Sequence, residues 1–305
     1  MPARAALAAS LVAVIWGVNF VVIDLGLAGM PPLLFVVLRF TAVIVPAIFF
    51  VPRPAVPLRD VLCIGLFMSL GQFGLLYTAL ALGMPAGLAS LVLQAQVVFT
   101  VLFAALALRE VPTRSQALGV LVGVAGLVVV GAGSGAHAPV LAFLVSLAAA
   151  ASLAIGNVFA RRVGGSPGGA RRGSGLSMTV WSALVVPLPL LALSVSVDGP
   201  DAVAFALTHL TATQLVSTAY TAWLASLVGY GIWNTLLARH PASAVVPFTM
   251  LVPPVGIATA WLVLGETPTT TELIGGVTLL AGVAVTTGVV RGRRRAPAPG
   301  LSRRG

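Results

Sequence analysis

Apolar residues occupy this chain in long blocks, separated by short breaks where Arg, Gly and Pro collect. Ten blocks stand out, at 6–23, 33–51, 61–82, 86–108, 116–130, 140–160, 176–197, 214–238, 242–264 and 273–290. A helix needs about 20 apolar residues to cross the hydrocarbon core, where no water satisfies backbone groups. All but the short fifth block approach that length, so the pattern predicts an all-α integral membrane fold of ten transmembrane helices. The first block follows Arg4 as a signal peptide would, but it is long enough to span and further spans follow. It is read as an uncleaved first helix.

Composition sharpens this. The chain is 59% hydrophobic and 8% charged, against roughly a quarter charged in a soluble domain. Lys is absent, so all 17 basic residues are Arg, and with 7 acids the net charge is +10. A basic chain can bind nucleic acid, but that needs the Arg on one wetted face; here they sit between apolar runs. The expected environment is membrane lipid, with no nucleic acid. Cys63 is the one cysteine and lies inside an apolar run, so neither an intramolecular disulfide nor a thiol metal site is expected. No cofactor is expected either, and without Lys there is no phosphate-binding Gly-x-x-x-x-Gly-Lys-Ser/Thr loop.

Charge placement gives direction. With the N-terminus in the cytoplasm, sixteen of the seventeen Arg fall in cytoplasmic segments, and the opposite loops carry none. The exception is Arg39, within the second span. Gaining or losing one span would scramble the pattern, so both termini are expected inside.

The chain also repeats itself. Residues 85–126 align without a gap on 241–282 at an offset of 156: Pro85-Ala86 on Pro241-Ala242, Glu110-x-Pro112-Thr113 on Glu266-x-Pro268-Thr269, and Gly119 and Gly126 on Gly275 and Gly282. A looser echo pairs Gly17-Val18-Asn19-Phe20 with Gly156-Asn157-Val158-Phe159. Two inverted five-helix repeats follow, at 6–131 and 139–290, with a basic cytoplasmic tail at 291–305. An odd number of spans per repeat makes the halves enter the membrane from opposite sides. Arg109 and Arg114 flank the first Glu-x-Pro-Thr turn, whereas Gly265 and Thr270 flank the second. Such duplication suits a secondary transporter, whose halves exchange shapes around a central site.

Trp16-Gly17-Val18-Asn19-Phe20-Val21-Val22, Leu38-Arg39-Phe40, the run 83–96 from Gly83-Met84-Pro85-Ala86 to Leu93-Gln94-Ala95-Gln96, and Val228-Gly229-Tyr230-Gly231-Ile232-Trp233 resemble the EamA group of the drug/metabolite transporter superfamily. The resemblance covers almost the whole chain. It implies an inner-membrane efflux permease acting on small amino acids and their derivatives, O-acetylserine and cysteine among them. Another metabolite or a drug is the alternative within the superfamily, because fold-level likeness does not settle substrate.

Polar groups inside spans are the candidate substrate ligands. Gln72, Gln94 and Gln96 lie mid-span, and an amide can both donate to a carboxylate and accept from an ammonium of a small zwitterionic metabolite. Two residues apart on a regular helix, Gln94 and Gln96 point to opposite faces and are not expected to share a cavity. Arg39 could attract a carboxylate, close an outer gate, or simply snorkel. Trp16, Tyr77, Tyr230 and Trp233 could line a cavity, with interfacial anchoring or packing as the plainer roles. Asn19 and Asn157 are expected to form helix–helix bonds. Pro247, Pro253 and Pro254 should break the ninth helix. Glu110 and Glu266 are expected to cap the following helix or fix their turns. No carboxylate stands mid-span, so proton coupling would need end-of-helix groups such as Asp24. A membrane-embedded enzyme is the competing class; it rests on His209, Asp198 and Asp201 in one loop, whose spacing fits no metal motif.

Overall fold

The computed structural model describes residues 1–134, 138–165 and 175–288. Part of the 131–138 connection, Arg171 and Arg172, and the 291–305 tail lie outside the described residues. Within them the regular structure is helical, without strands.

Among the described residues, nine helices are long and apolar enough to cross a membrane: α1 (Ala3–Leu27), α3 (Leu58–Ala81), α4 (Ala86–Leu108), α5 (Arg114–Ser134), α6 (Val140–Val163), α7 (Gly175–Asp198), α8 (Ala212–Arg239), α9 (Val246–Leu264) and α10 (Thr270–Thr287). The tenth, α2 (Pro32–Ala47), is shorter at 16 residues. It stops before the predicted 51 because Pro52 and Pro54 follow, while exposed Phe49 and Phe50 continue its apolar surface. The fifth span is longer than its apolar run suggested. Between α7 and α8 a short helix, Pro200–Thr208, occupies an expected loop. It starts where Gly199 takes a positive φ of 88° and Pro200 sets the first helical position. Its Val203 and Ala206 pack on Leu34 of α2.

The outside of the bundle is apolar. Leu7, Leu106, Leu188 and Leu262 are each at least 70% exposed, a surface that only lipid tolerates.

Four local features recur at the 156-residue offset. Thr113 and Gln116 exchange bonds of 3.3 and 2.9 Å at the start of α5, and Thr269 and Glu272 do so at 3.2 and 2.8 Å at the start of α10. These are reciprocal N-terminal caps. The two capped helices then pack backbone to backbone. A β-carbon at Gly126 would collide with the backbone of Leu279, and one at Gly282 with that of Gly123. Small residues let membrane helices approach this closely, where packing replaces the hydrophobic drive. Third, α3 widens to π geometry at Gly65–Gly71 and α8 at Tyr220–Val228. Fourth, α4 is interrupted between Val92 and Ala95, and α9 is preceded by Ala242–Val245 and opens as a 3-10 segment at Val246–Leu251. Of the prolines expected to break the ninth helix, Pro247 lies within that segment and Pro253 and Pro254 open the regular helix after it.

Candidate functional site

Arg39 lies at the middle of α2 and is 2% exposed. Its Nη1 donates to the Tyr77 hydroxyl at 3.0 Å and its Nη2 to Ser226 Oγ at 3.1 Å. The guanidinium sits 4.0 Å from the centre of the Phe73 ring, a cation–π contact. No carboxylate pairs with it: among the described residues the ion pairs are Arg59–Asp60 and Arg161–Glu110. Nε is buried and unpartnered. Arg39 therefore does not snorkel. Its partners come from α3 and α8, deep in the protein.

The π segments prepare this arrangement. In the wider turn of α8, Ser226 Oγ donates to Thr221 O at 2.8 Å and still accepts from Arg39. The Ala225 carbonyl accepts from Trp16 Nε1 at 3.0 Å. In α3 the Phe67 carbonyl accepts from Ser152 Oγ at 2.8 Å. Main-chain acceptors displaced by the wider turn thus find side-chain donors on neighbouring helices.

Two cavities meet at Arg39, Phe73 and Tyr230. One, of about 170 Å³, lies between α1, α3, α4 and α9 and is lined by Trp16, Asn19, Gln72, Gln94 and Gln96, among others. The other, of about 420 Å³, runs between α3, α6, α7 and α8 towards Val163, Gly175 and Leu237, past Trp233 and Asn234. Among the described residues, Arg39 is the only charged one in either lining. Together they form a largely apolar cleft with few polar groups and one fixed positive charge.

All eight candidate residues line one or both cavities, including the two glutamines expected to diverge. The helix tightens there: Gln94 N bonds Leu91 O, Gln96 N bonds Leu93 O and Val97 N bonds Gln94 O, each three residues back. At three residues per turn, side chains two apart differ by about 120°, close enough to face one space. Gln94 Nε2 donates to Thr249 O at 3.2 Å and Gln96 Oε1 accepts from Asn157 Nδ2 at 2.7 Å. Asn157 thus makes its expected helix–helix bond. Asn19 does not; its Oδ1 is buried and unpartnered. Trp16 packs at 5.1 Å from Tyr230 and 5.2 Å from Trp233, an aromatic cluster at the cavity and not at the membrane interface.

Phe73, Ser226 and Asn234 also belong to this region and were missed from sequence. Asn234 carried the same signal as the glutamines, an amide inside a span. Ser226 carried none, since its position depends on the π turn. Elsewhere, Asp198 accepts from Ser194 Oγ at 2.8 Å and the His209 ring stacks 4.1 Å from Phe205. Among the described residues, no three His, Cys, Asp or Glu converge.

The model of the EamA-like transporter family matches residues 3–132 and 140–288. A protein of Salmonella typhimurium named "Probable amino-acid metabolite efflux pump" is 44% identical over 96% of this chain and 97% of its own length. The Escherichia coli K12 protein of that name is 42% identical over 94% and 95%. A "Probable terminal-alkyne amino-acid exporter" of Streptantibioticus cattleyicolor is 33% identical over 71% and 69%. One crystal structure matches with a TM-score of 0.60 at 21% identity, covering 95% of this chain and 99% of the other, a likeness of fold alone. This multi-pass membrane protein belongs to the EamA-like transporter family.

Proposed function

We propose that the chain is an efflux permease of the bacterial cytoplasmic membrane for small amino acids and their derivatives, and not an enzyme. It works by alternating access between two inverted five-helix repeats, at 6–131 and 139–290, with both termini and the 291–305 tail in the cytoplasm. The observation that carries the reading is Arg39, a buried cation with an unpartnered Nε in a cleft whose described lining holds no carboxylate. A substrate carboxylate completes its coordination. Amide oxygens of Asn19 and Gln72, with Gln94 and Gln96 beside them, offer acceptors to the ammonium, and Trp16, Tyr230 and Trp233 supply aromatic walls. A charge left unpaired in low dielectric is costly, so the carboxylate gains more here than a neutral group would. The names of the 42–44% identical relatives support the substrate class, and the four matched features support the repeat.

The test is uptake of labelled cysteine and O-acetylserine into inside-out vesicles, with and without a proton gradient, against vesicles lacking the protein. Protein-dependent uptake is expected, blocked by unlabelled cysteine and not by its methyl ester. Absence of protein-dependent flux with insertion confirmed would overturn the substrate class.

A further inference from the structure

Neither Glu-x-Pro-Thr turn touches the central cleft, and the two glutamates have different partners. Glu266 reaches from the second half to the first: its Oε1 accepts from Ala86 N at 2.8 Å and its Oε2 from Gly87 N at 2.9 Å. These are the first amides of α4, which have no acceptor within the helix and carry its positive dipole end. A carboxylate with one oxygen on each makes two charge-assisted bonds. Glu266 is in no ion pair among the described residues. Beneath this clamp α4 and α9 meet through small residues. A β-carbon on Gly87 would stand 3.2 Å from Ala260 Cβ and 3.3 Å from Glu266 Oε2, and one on Gly256 would meet Ser90 at 2.5 Å. The α4–α9 contact is shut at this end, beside a pocket of about 290 Å³ lined by Leu88, Glu266 and Leu273.

Among the described residues, the opposite end is not. By the 156-residue offset, Glu110 should clamp the amides of Ala242 and Ser243. It is instead held by Arg161 Nη2 at 2.9 and 3.1 Å, both side chains about half exposed. Ala86–Val92 packs on Val252–Leu264, whereas Ala95–Leu108 has no comparable packing on Val246–Leu251. The larger cavity runs towards this same end, past Val163 and Leu237.

We propose that Glu266 and Glu110 are alternating gate latches. Glu266 seals the outer end in the inward-open state seen here, with Glu110 parked on Arg161. In the outward-open state Glu266 lets go of Ala86 and Gly87, and Glu110 takes the amides of Ala242 and Ser243. The inference rests on the alternating-access reading and on the orientation given above. It assigns Glu266 a positioning role for α4, with no contact to substrate.

The test uses the full chain with Cys63→Ala, which removes its only thiol. A reporter cysteine goes beneath the outer clamp (Ser90→Cys), where Ser90 is buried against Gly256 and lines the smaller cavity, or into the larger cavity (Met178→Cys). Labelling by a membrane-impermeant maleimide is followed in right-side-out and inside-out vesicles. Glu266→Ala should speed outer labelling at 90 and slow inner labelling at 178, each by about tenfold for the loss of one charge-assisted bond's worth of bias. Glu110→Ala should do the reverse, and Glu266→Gln should lie between Ala and wild type. Shifts in the same direction for both Ala variants would mean general loosening and overturn the latch, as would no shift in either. Labelling needs no substrate, so this result stands apart from the transport assay: flux of cysteine can fail while the latches hold, and the latches can fail while flux persists.

Discussion

Thr113 and Thr269 cap their helices in the same way, yet Glu110 and Glu266, three residues earlier, hold different partners. Glu266 bonds two main-chain amides of α4, while Glu110 bonds the Arg161 side chain. The wider comparison of the halves has the same form. The glycine seam, the π segments, the interruptions of α4 and α9 and the caps all recur at one offset. The polar cleft does not: Gln72, Gln94 and Gln96 correspond to Val228, Met250 and Val252, and Arg39 has no basic equivalent in a span. Matched positions build helices and bring them together. Unmatched positions line the cleft or take different partners at the two ends.

Substitutions can break or sharpen that division. The largest effect is expected in the seam. Gly126→Leu and Gly282→Leu force side chains into facing backbone, and each should cost upwards of about 4 kcal/mol, removing most monodisperse protein on size-exclusion chromatography. The losses should be alike; survival of one variant and not the other would show that the halves carry unequal structural loads. At the unmatched Arg39, Arg39→Ala should insert normally and reduce cysteine flux at least about thirtyfold, as for one partner of a buried charge pair. Arg39→Lys should recover only part, since an ammonium lacks the planar fork. Near-normal flux in Arg39→Ala would remove the carboxylate anchor.

Smaller effects separate the glutamines from their counterparts. Gln72→Ala, Gln94→Ala and Gln96→Ala should each lower flux by about three- to tenfold, the worth of one hydrogen bond. Val228→Ala, Met250→Ala and Val252→Ala should change it less. Wild-type rates in all three glutamine variants, with normal insertion, would mean those amides do not meet substrate. Smallest and most symmetrical are the caps. Thr113→Ala and Thr269→Ala should each cost about 1 kcal/mol, seen as matching Tm decreases of about 2–4 °C.

Much of the architecture was legible because bilayer solvation leaves a strong mark on sequence. Long apolar blocks announce spans, and paired glycines announce a close seam. The caps did not fall where expected: Thr113 with Gln116 and Thr269 with Glu272 close the following helices, while Glu110 and Glu266 bond elsewhere. The cleft was legible residue by residue, because amides and a guanidinium inside spans are rare enough to notice. Its geometry was not. Arg39 is buried by Tyr77 and Ser226, 38 and 187 positions away, so depth within its own helix said little about its surroundings. Gln94 and Gln96 share a space through a change of helical pitch that no residue type encodes locally. Glu266 has its partners about 180 residues away, and its own turn gave no sign of them.

The π segments carry a genetic consequence. A π turn holds one residue more than the helix around it would need, so Gly65–Gly71 and Tyr220–Val228 act as single-codon insertions kept in register by their neighbours. Loss of one codon inside Gly65–Gly71, with return to regular pitch, would leave Phe73 and Tyr77 facing Arg39, because the shorter turn completes the same rotation. The regular stretch Gln72–Ala81 has no such absorber. A three-nucleotide deletion between Phe73 and Tyr77 would swing Tyr77 by about 100° relative to Phe73 and part it from Arg39.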